Sequence, residues 1–171
     1  MMQVQIQPLN SIHNRKDFDC GSAPLNQWFA NMAGQQKERS LVQTFVAVDV
    51  AVPSEPLGYY SLVAHTVAGS VMPSKKRMPN LIPVILLSRF AVVQSLQGKG
   101  LGKNLLMNAL ERVAMIAENV GVIALMVDAK DQKVAEFYSK YGFAPCPSNP
   151  LQLFLPVGTI TQILQNTQCA I

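Results

Sequence analysis

Residues 97–103 read Gln97-Gly98-Lys99-Gly100-Leu101-Gly102-Lys103, three alternate glycines and two lysines between an apolar run and an amphipathic one. Alternate glycines let a backbone turn sharply and approach a ligand closely, since no Cβ stands in the way. A helix that starts at such a turn aims its unpaired first-turn N–H groups, and the positive end of its dipole, into the gap. The chemistry this predicts is a diphosphate cradle, with Lys99 and Lys103 adding positive charge at its rim. A second chemical group stands in Ala135-Glu136-Phe137-Tyr138-Ser139-Lys140-Tyr141-Gly142-Phe143, where the phenol of Tyr138 can donate a proton.

Spacing narrows the ligand. A Walker A loop needs Gly-x-x-x-x-Gly-Lys followed by Ser or Thr, but Gly102-Lys103 is followed by Asn104 and position 97 is Gln. A dinucleotide fingerprint needs Gly-x-Gly-x-x-Gly, and here the third glycine comes one position too soon. Without a ligand, the same pattern is a turn before a buried helix.

Both groups need elements to hold them. Val84 to Val93 is an apolar strand feeding the glycine turn, and a helix from about Leu101 to Asn119 leaves it. Leu105, Leu106, Ala109, Leu110, Val113, Ile116 and Ala117 form that helix's apolar face. Val122 to Asp128 is continuously apolar, as in the middle of a sheet. Lys130 to Tyr141 follows as a shorter helix, capped by Asp131 and stopped by Gly142. Upstream, Val4 to Leu9 alternates as a strand and Ala23 to Gln36 reads as one helix with Pro24 in its first turn. Thr44 to Asp49 and Leu57 to Val63 read as a hairpin split by Pro53 and Pro56, Ser70 to Pro79 as a basic, proline-bounded loop, and Leu151 to Pro156 as a last strand before a polar tail. The expectation is one α/β domain over residues 1–171 with a mixed sheet.

Composition sets the outer bounds. The 171 residues are 49% apolar and 14% charged, which excludes a disordered chain or a coiled coil and suits one domain with a real core. No apolar run approaches the roughly 18–20 residues of a membrane span. Met1-Met2-Gln3-Val4-Gln5-Ile6-Gln7 lacks the basic-then-apolar pattern of a signal peptide. Cys20, Cys146 and Cys169 are an odd, scattered set without metal spacing, so a reduced, cytoplasmic protein is expected. The net charge of +4 is unevenly placed, at Lys37 and Arg39, Lys75-Lys76-Arg77, Arg89, and Lys99 with Lys103.

Gln97-x-x-Gly100-x-Gly102, directly after a strand ending near Val92-Val93, resembles the acetyl-coenzyme A loop of GNAT-type N-acetyltransferases. The Ala135 to Phe143 segment resembles the stretch that lines the thioester in that family. The resemblance covers nearly the whole chain. Phe18-Asp19-Cys20-Gly21, Leu25-Asn26-Gln27-Trp28-Phe29, Thr44-Phe45-Val46-Ala47-Val48, Gly58-Tyr59-Tyr60-Ser61-Leu62, Leu87-Ser88-Arg89-Phe90-Ala91-Val92, Val127-Asp128-Ala129-Lys130-Asp131 and Leu153-Phe154-Leu155-Pro156 look like the GNAT toxins of bacterial type II toxin–antitoxin pairs.

That resemblance implies a mixed central sheet, flanked by helices and splayed at the acetyl-CoA cleft. It implies that Phe90, Ala91, Val92 and Val93 bind pantetheine through backbone groups and that Gln97, Gly98, Lys99, Gly100, Leu101, Gly102 and Lys103 hold the pyrophosphate, with Tyr138 near the thioester sulfur. It further implies a toxin that acetylates the α-amine of aminoacyl-tRNA and so blocks translation. The expected partners are a cognate ribbon-helix-helix antitoxin and a second copy in a homodimer; no membrane and no metal is expected.

The residues test this independently. A lysine amine, with pKa about 10.4, usually needs a base, whereas an α-amine at about 7.7–8.0 is already partly neutral. No carboxylate or histidine is placed as a base beside Tyr138, since Glu136 lies two positions off and faces another side of the helix. The absence favours an α-amine, with Tyr138 as general acid for the departing thiolate; as an alternative Tyr138 is a core aromatic. Lys37, Arg39, Lys75, Lys76, Arg77 and Arg89 are the expected tRNA contacts, by charge rather than base reading, against the alternative of solvated surface. Arg89, inside an apolar strand, needs a partner, which a phosphate, a carboxylate or a structural ion pair would supply. His13 and His65 are isolated, Trp28 reads as core, and specificity is expected from loops around Tyr59, Tyr60 and residues 64–80. An acetyltransferase of small amines or protein N-termini, and a non-catalytic acyl-CoA-binding module, remain as alternatives.

Overall fold

A computed structural model describes residues 1–169. Its seven strands are β1 (Val4–Pro8), β2 (Gln43–Asp49), β3 (Val52–Ala68), β4 (Leu81–Val92), β5 (Ala124–Asp128), β6 (Ala144–Cys146) and β7 (Asn149–Pro156). The helices are α1 (Ala23–Asn31), α2 (Ala33–Glu38), α3 (Leu101–Ala117), α4 (Gln132–Ser139) and α5 (Val157–Cys169). Hydrogen-bonded neighbours run β1-β2-β3-β4-β5-β7-β6. The sheet is mixed: β4 and β5 pair in parallel, while β1/β2, β2/β3, β5/β7 and β6/β7 are antiparallel. The chain divides into two compact units, Met1–Val63 with Ser88–Ala109, and Ala64–Leu87 with the residues from Leu110 onward.

In the first unit the core gathers Leu9, Phe18, Phe29, Ala33, Val46, Val48, Tyr59 and Ala91. The hairpin of β2 and β3 is longer than Pro53 and Pro56 suggest. The prolines are tolerated because the register shifts between Ala47 and Asp49, opposite them, where the ladder asks for fewer N–H donors. The single expected helix over Ala23 to Gln36 is two. Arg15 Nη1 donates to the carbonyls of Phe29 and Ala30, at 3.0 and 3.1 Å, taking acceptors that a continuous helix would use. The chain breaks at Met32, φ −118°. Tyr59 and Tyr60, expected beside a specificity cleft, are instead fully buried within β3. Their hydroxyls donate to the Leu25 carbonyl at 2.9 Å and to Asn108 Oδ1 at 2.6 Å.

In the second unit Met72, Ile82, Val84, Ala124, Met126, Cys146 and Phe154 form the core. Four of the five residues of β5 are buried, as its unbroken apolar run requires. The basic stretch 70–79 is irregular after a short 3₁₀ turn at Gly69–Val71. The expected polar tail is a helix, α5: Val157, Ile160, Ile163 and Leu164 recur at helical spacing, and Ile160 is buried. No helix among the described residues is long and apolar enough to cross a membrane.

Candidate active site

In the first unit β4 ends at Val92, and a 3₁₀ turn over Gln94–Leu96 carries the chain into the glycine loop. Gly98 stands at φ +75° and Gly100 at φ +91°, conformations that glycine adopts without strain. A Cβ built on either would meet no atom within 4 Å, so this backbone faces open space. Gly102 lies inside α3. That helix begins where Asn104 N–H donates to the Gly100 carbonyl at 3.2 Å. The N–H groups of Leu101, Gly102 and Lys103 belong to its first turn and have no acceptor within the helix. Leu101 is buried and anchors the turn, while Lys99 and Lys103 are exposed beside it. Open backbone, unclaimed amides and two lysines fit a pyrophosphate.

The Gln97 side chain does something the spacing does not reveal. Its Nε2 donates to the Cys20 carbonyl at 2.8 Å and to the Val92 carbonyl at 2.9 Å. Gln94 N–H donates to the Asp19 carbonyl at 3.1 Å. The loop is therefore laced to the turn that precedes α1. Along β4, Val93 N–H donates to the Leu57 carbonyl at 2.9 Å. Backbone groups alternate sides along a strand, so those of Phe90 and Val92 point away from β3 and those of Ala91 and Val93 toward it. Of the four expected pantetheine contacts, Phe90 and Val92 are the pair oriented to make them.

Tyr138 lies in the second unit, on α4. Asp131 caps this helix as expected, its Oδ1 accepting Val134 N–H at 2.9 Å. Gly142, φ +95°, ends it in a Schellman turn: Gly142 N–H donates to the Ser139 carbonyl at 3.1 Å and Phe143 N–H to the Tyr138 carbonyl at 3.4 Å. The accompanying apolar contact is made by the Tyr138 and Phe143 rings, edge to face at 5.3 Å. Phe137 meets Tyr138 from another side at 5.2 Å. Tyr138 is 5% exposed, and burial pushes its phenol above the ordinary range. It is a protonated hydrogen-bond donor throughout the physiological range. Glu136 is exposed, on a different face of α4.

The basic residues differ in their surroundings. Lys37, on α2, donates its ammonium to the Leu9 carbonyl, while Arg39 just beyond is exposed. Lys75, Lys76 and Arg77 are all exposed on the connection between β3 and β4, in the second unit. Arg89, half-buried, lays its guanidinium over the Trp28 ring, 5.0 Å from the centroid, and donates from Nη1 to the Ser88 carbonyl at 2.8 Å. The sequence demanded a partner for this arginine and offered anions; the arginine-on-indole contact and the Arg15 clamp on α1 leave no local trace in the sequence. His13 is buried, with Asn10 N–H donating to its Nδ1 at 3.0 Å, and no partner meets Nε2 among the described residues. No three His, Cys, Asp or Glu side chains among the described residues are grouped to hold a metal.

A family model for the acetyltransferase (GNAT) domain matches residues 35–152. A probable toxin TacT of Sinorhizobium fredii is 28% identical over 171 residues, covering 93% of this chain and 94% of its own. A tRNA-acetylating toxin of Mycobacterium tuberculosis is 40% identical over 101 residues, 58% of this chain and 61% of its own. Among solved structures, AtaT complexed with acetyl-methionyl-tRNAfMet matches with a TM-score of 0.87 and 28% identity over 95% of this chain and 99% of that one. AtaT bound to the C-terminus of the antitoxin AtaR matches with a TM-score of 0.80 and 27% identity, over 94% and 97% of the two chains. AtaTR has also been solved with acetyl-CoA.

Proposed function

Because this chain belongs to the GNAT acetyltransferase family, we propose that it transfers an acetyl group from acetyl-CoA to the α-amine of aminoacyl-tRNA, blocking translation, and is neutralised by a cognate antitoxin. The observation that carries this reading is the likeness to AtaT, solved with acetyl-methionyl-tRNA, over 95% of this chain. We read residues 1–171 as one acetyltransferase domain acting in the cytoplasm, as a homodimer, with an antitoxin of the ribbon-helix-helix type.

Bound acetyl-CoA supplies the activated acyl group. The cradle at Gln97, Gly98, Lys99, Gly100, Leu101, Gly102 and Lys103 holds its pyrophosphate through first-turn amides and lysine charge. Of Phe90 to Val93, the backbone groups of Phe90 and Val92 orient pantetheine, while those of Ala91 and Val93 face β3. The neutral α-amine attacks the thioester carbonyl: the N–C bond forms, the C–S bond breaks, and the proton lost from nitrogen ends on sulfur. An ordinary phenol at about 10 is already about 2 kcal/mol short of protonating a thiolate near 8.5 outright, and burial of Tyr138 widens that gap. Tyr138 therefore gives its proton to sulfur as it receives the one leaving nitrogen, so that no buried phenolate forms. Lys37, Arg39, Lys75, Lys76, Arg77 and Arg89 are the proposed tRNA contacts; Arg39 and Lys75 to Arg77 are the most exposed of them.

The test is transfer of labelled acetyl onto charged tRNA, with uncharged tRNA as control. Label in an alkali-labile aminoacyl product is expected. Tyr138→Phe keeps the ring against Phe143 and removes only the proton donor, so kcat should fall by about 10²–10⁴ with folding unchanged. Tight acetyl-CoA binding without transfer to tRNA would overturn the reading and point to small amines or peptide N-termini.

A further inference from the structure

Three rings in the first unit run nearly parallel, and a guanidinium lies over the outermost. The Phe29 and Tyr59 rings stack at 4.2 Å and 5°, Trp28 lies nearly parallel to Tyr59 at 6.0 Å and 18°, and the Arg89 guanidinium covers Trp28. Phe29 and Tyr59 are fully buried, whereas Trp28 and Arg89 are half-buried, so the run leads from the core to the surface and ends on the guanidinium. Nη1 of Arg89 is tethered to the Ser88 carbonyl, which restrains the guanidinium over the indole. Neither contact is with a carboxylate. A cation held over an indole and partly desolvated, with no carboxylate against it among the described residues, suits a ligand that uses its outer face.

Position on the strand says which ligand meets it. Arg89 directly precedes Phe90, and β4 advances about 3.3 Å per residue. An acyl-pantetheine arm that starts at the glycine loop and follows β4 backward meets Arg89 last, at its thioester end. The group that arrives there from solution is the acceptor. Resting on the aminoacyl-tRNA reading, that acceptor carries its amine on a 3′-terminal adenosine. The Ser88 bond engages Nη1 and leaves the Nε–Nη2 edge to a phosphate, which a base-lacking acceptor would still supply; only a base uses the guanidinium face. A base stacks on the guanidinium face, as unpaired RNA bases do on arginine and aromatic planes.

We propose that Arg89, backed by Trp28, is a stacking platform for the 3′-terminal adenine of the acceptor. The test uses two aminoacylated RNA hairpins, one ending in CCA and the other identical but with an abasic 3′-terminal ribose. For the wild-type protein, KM should be about ten- to a hundred-fold lower on the CCA hairpin, the range of one base-stacking contact. Arg89→Lys keeps the charge and loses the plane, so it should raise KM on the CCA hairpin to near the abasic value and leave the abasic KM unchanged. Arg89→Gln keeps a planar group and should retain part of the preference. Affinity for acetyl-CoA, measured by calorimetry, should stay within about twofold in both variants, as expected for a contact with the acceptor alone. Equal use of both hairpins by the wild type, or a KM rise on both in Arg89→Lys, would overturn the platform while leaving the tRNA reading intact. No transfer to either hairpin or to full-length charged tRNA would overturn the tRNA reading, and the platform with it.

Discussion

Replacing Gly100 by alanine separates what the loop does for the fold from what it does for a ligand. Gly100 stands at φ +91°, and an added Cβ would meet nothing within 4 Å. The structural cost is therefore conformational strain alone, about 1–2 kcal/mol. For a chain of this size that lowers the melting temperature by about 2–8 °C. If a pyrophosphate lies against that open backbone, the methyl also displaces at least one charge-assisted hydrogen bond, worth about 1.5–3 kcal/mol. The second cost is felt only on binding, as a ten- to 150-fold rise in Kd, to within about a factor of two. Calorimetric titration with acetyl-CoA, well below the melting transition of either protein, measures it apart from the first. Gly121→Ala is the control: its Cβ also meets open space, without a positive φ, and neither quantity should move by more than about 0.5 kcal/mol. A lower melting temperature with an unchanged Kd would refute the cradle and leave a bare turn before a buried helix.

Replacing Lys75, Lys76 and Arg77 together by glutamine should raise KM for charged tRNA and leave acetyl-CoA affinity alone; binding titrations from about 50 to 200 mM salt should show a slope shallower by about 2–3. Gln97→Leu deprives the Cys20 and Val92 carbonyls of their shared donor and should cost about 1–2 kcal/mol in urea denaturation. Gln97→Glu should cost more, because it turns a carboxylate toward those two oxygens. Burial, helped by the nearby Lys37 charge, holds the His13 imidazole below its ordinary range. Above about pH 6.5 it is neutral in both states; as pH falls from there toward the folded-state pKa, only the unfolded chain takes up the proton. Stability should fall with acid across that window, and His13→Asn should flatten the change in urea midpoint between about pH 8 and pH 5, since its titrating imidazole is gone.

What the sequence disclosed was what local rules govern. The glycine loop, the continuous apolar β5, the Asp131 cap and the Gly142 stop each depend on residues a few positions apart. The break at Met32 depends on Arg15, which approaches α1 from a different part of the chain. Arg89 announced that it needed a partner, but not that the partner would be an indole. Tyr59 and Tyr60 point to opposite faces of β3, and both faces are covered, one by Phe29 and Trp28, the other by Phe45 and Asn108. Nothing in an adjacent tyrosine pair reveals that. The helix α5 was hidden by its own wet face, whose many polar residues mask four apolar ones at helical spacing, and the three residues of β6 are too few for a pattern.

The Schellman turn at the end of α4 bears on how freely this chain can drift through sequence space. Tyr138 is located by its own carbonyl, which receives the Phe143 N–H, and by its ring, which meets the Phe143 ring. Both fastenings are set by one backbone angle at Gly142. Gln132, Lys133, Glu136, Ser139 and Lys140 are exposed and take no part in either. Lineages can rewrite that whole outer surface, changing its charge and its neighbours, while the phenol stays in place. A single methyl at residue 142 closes that freedom.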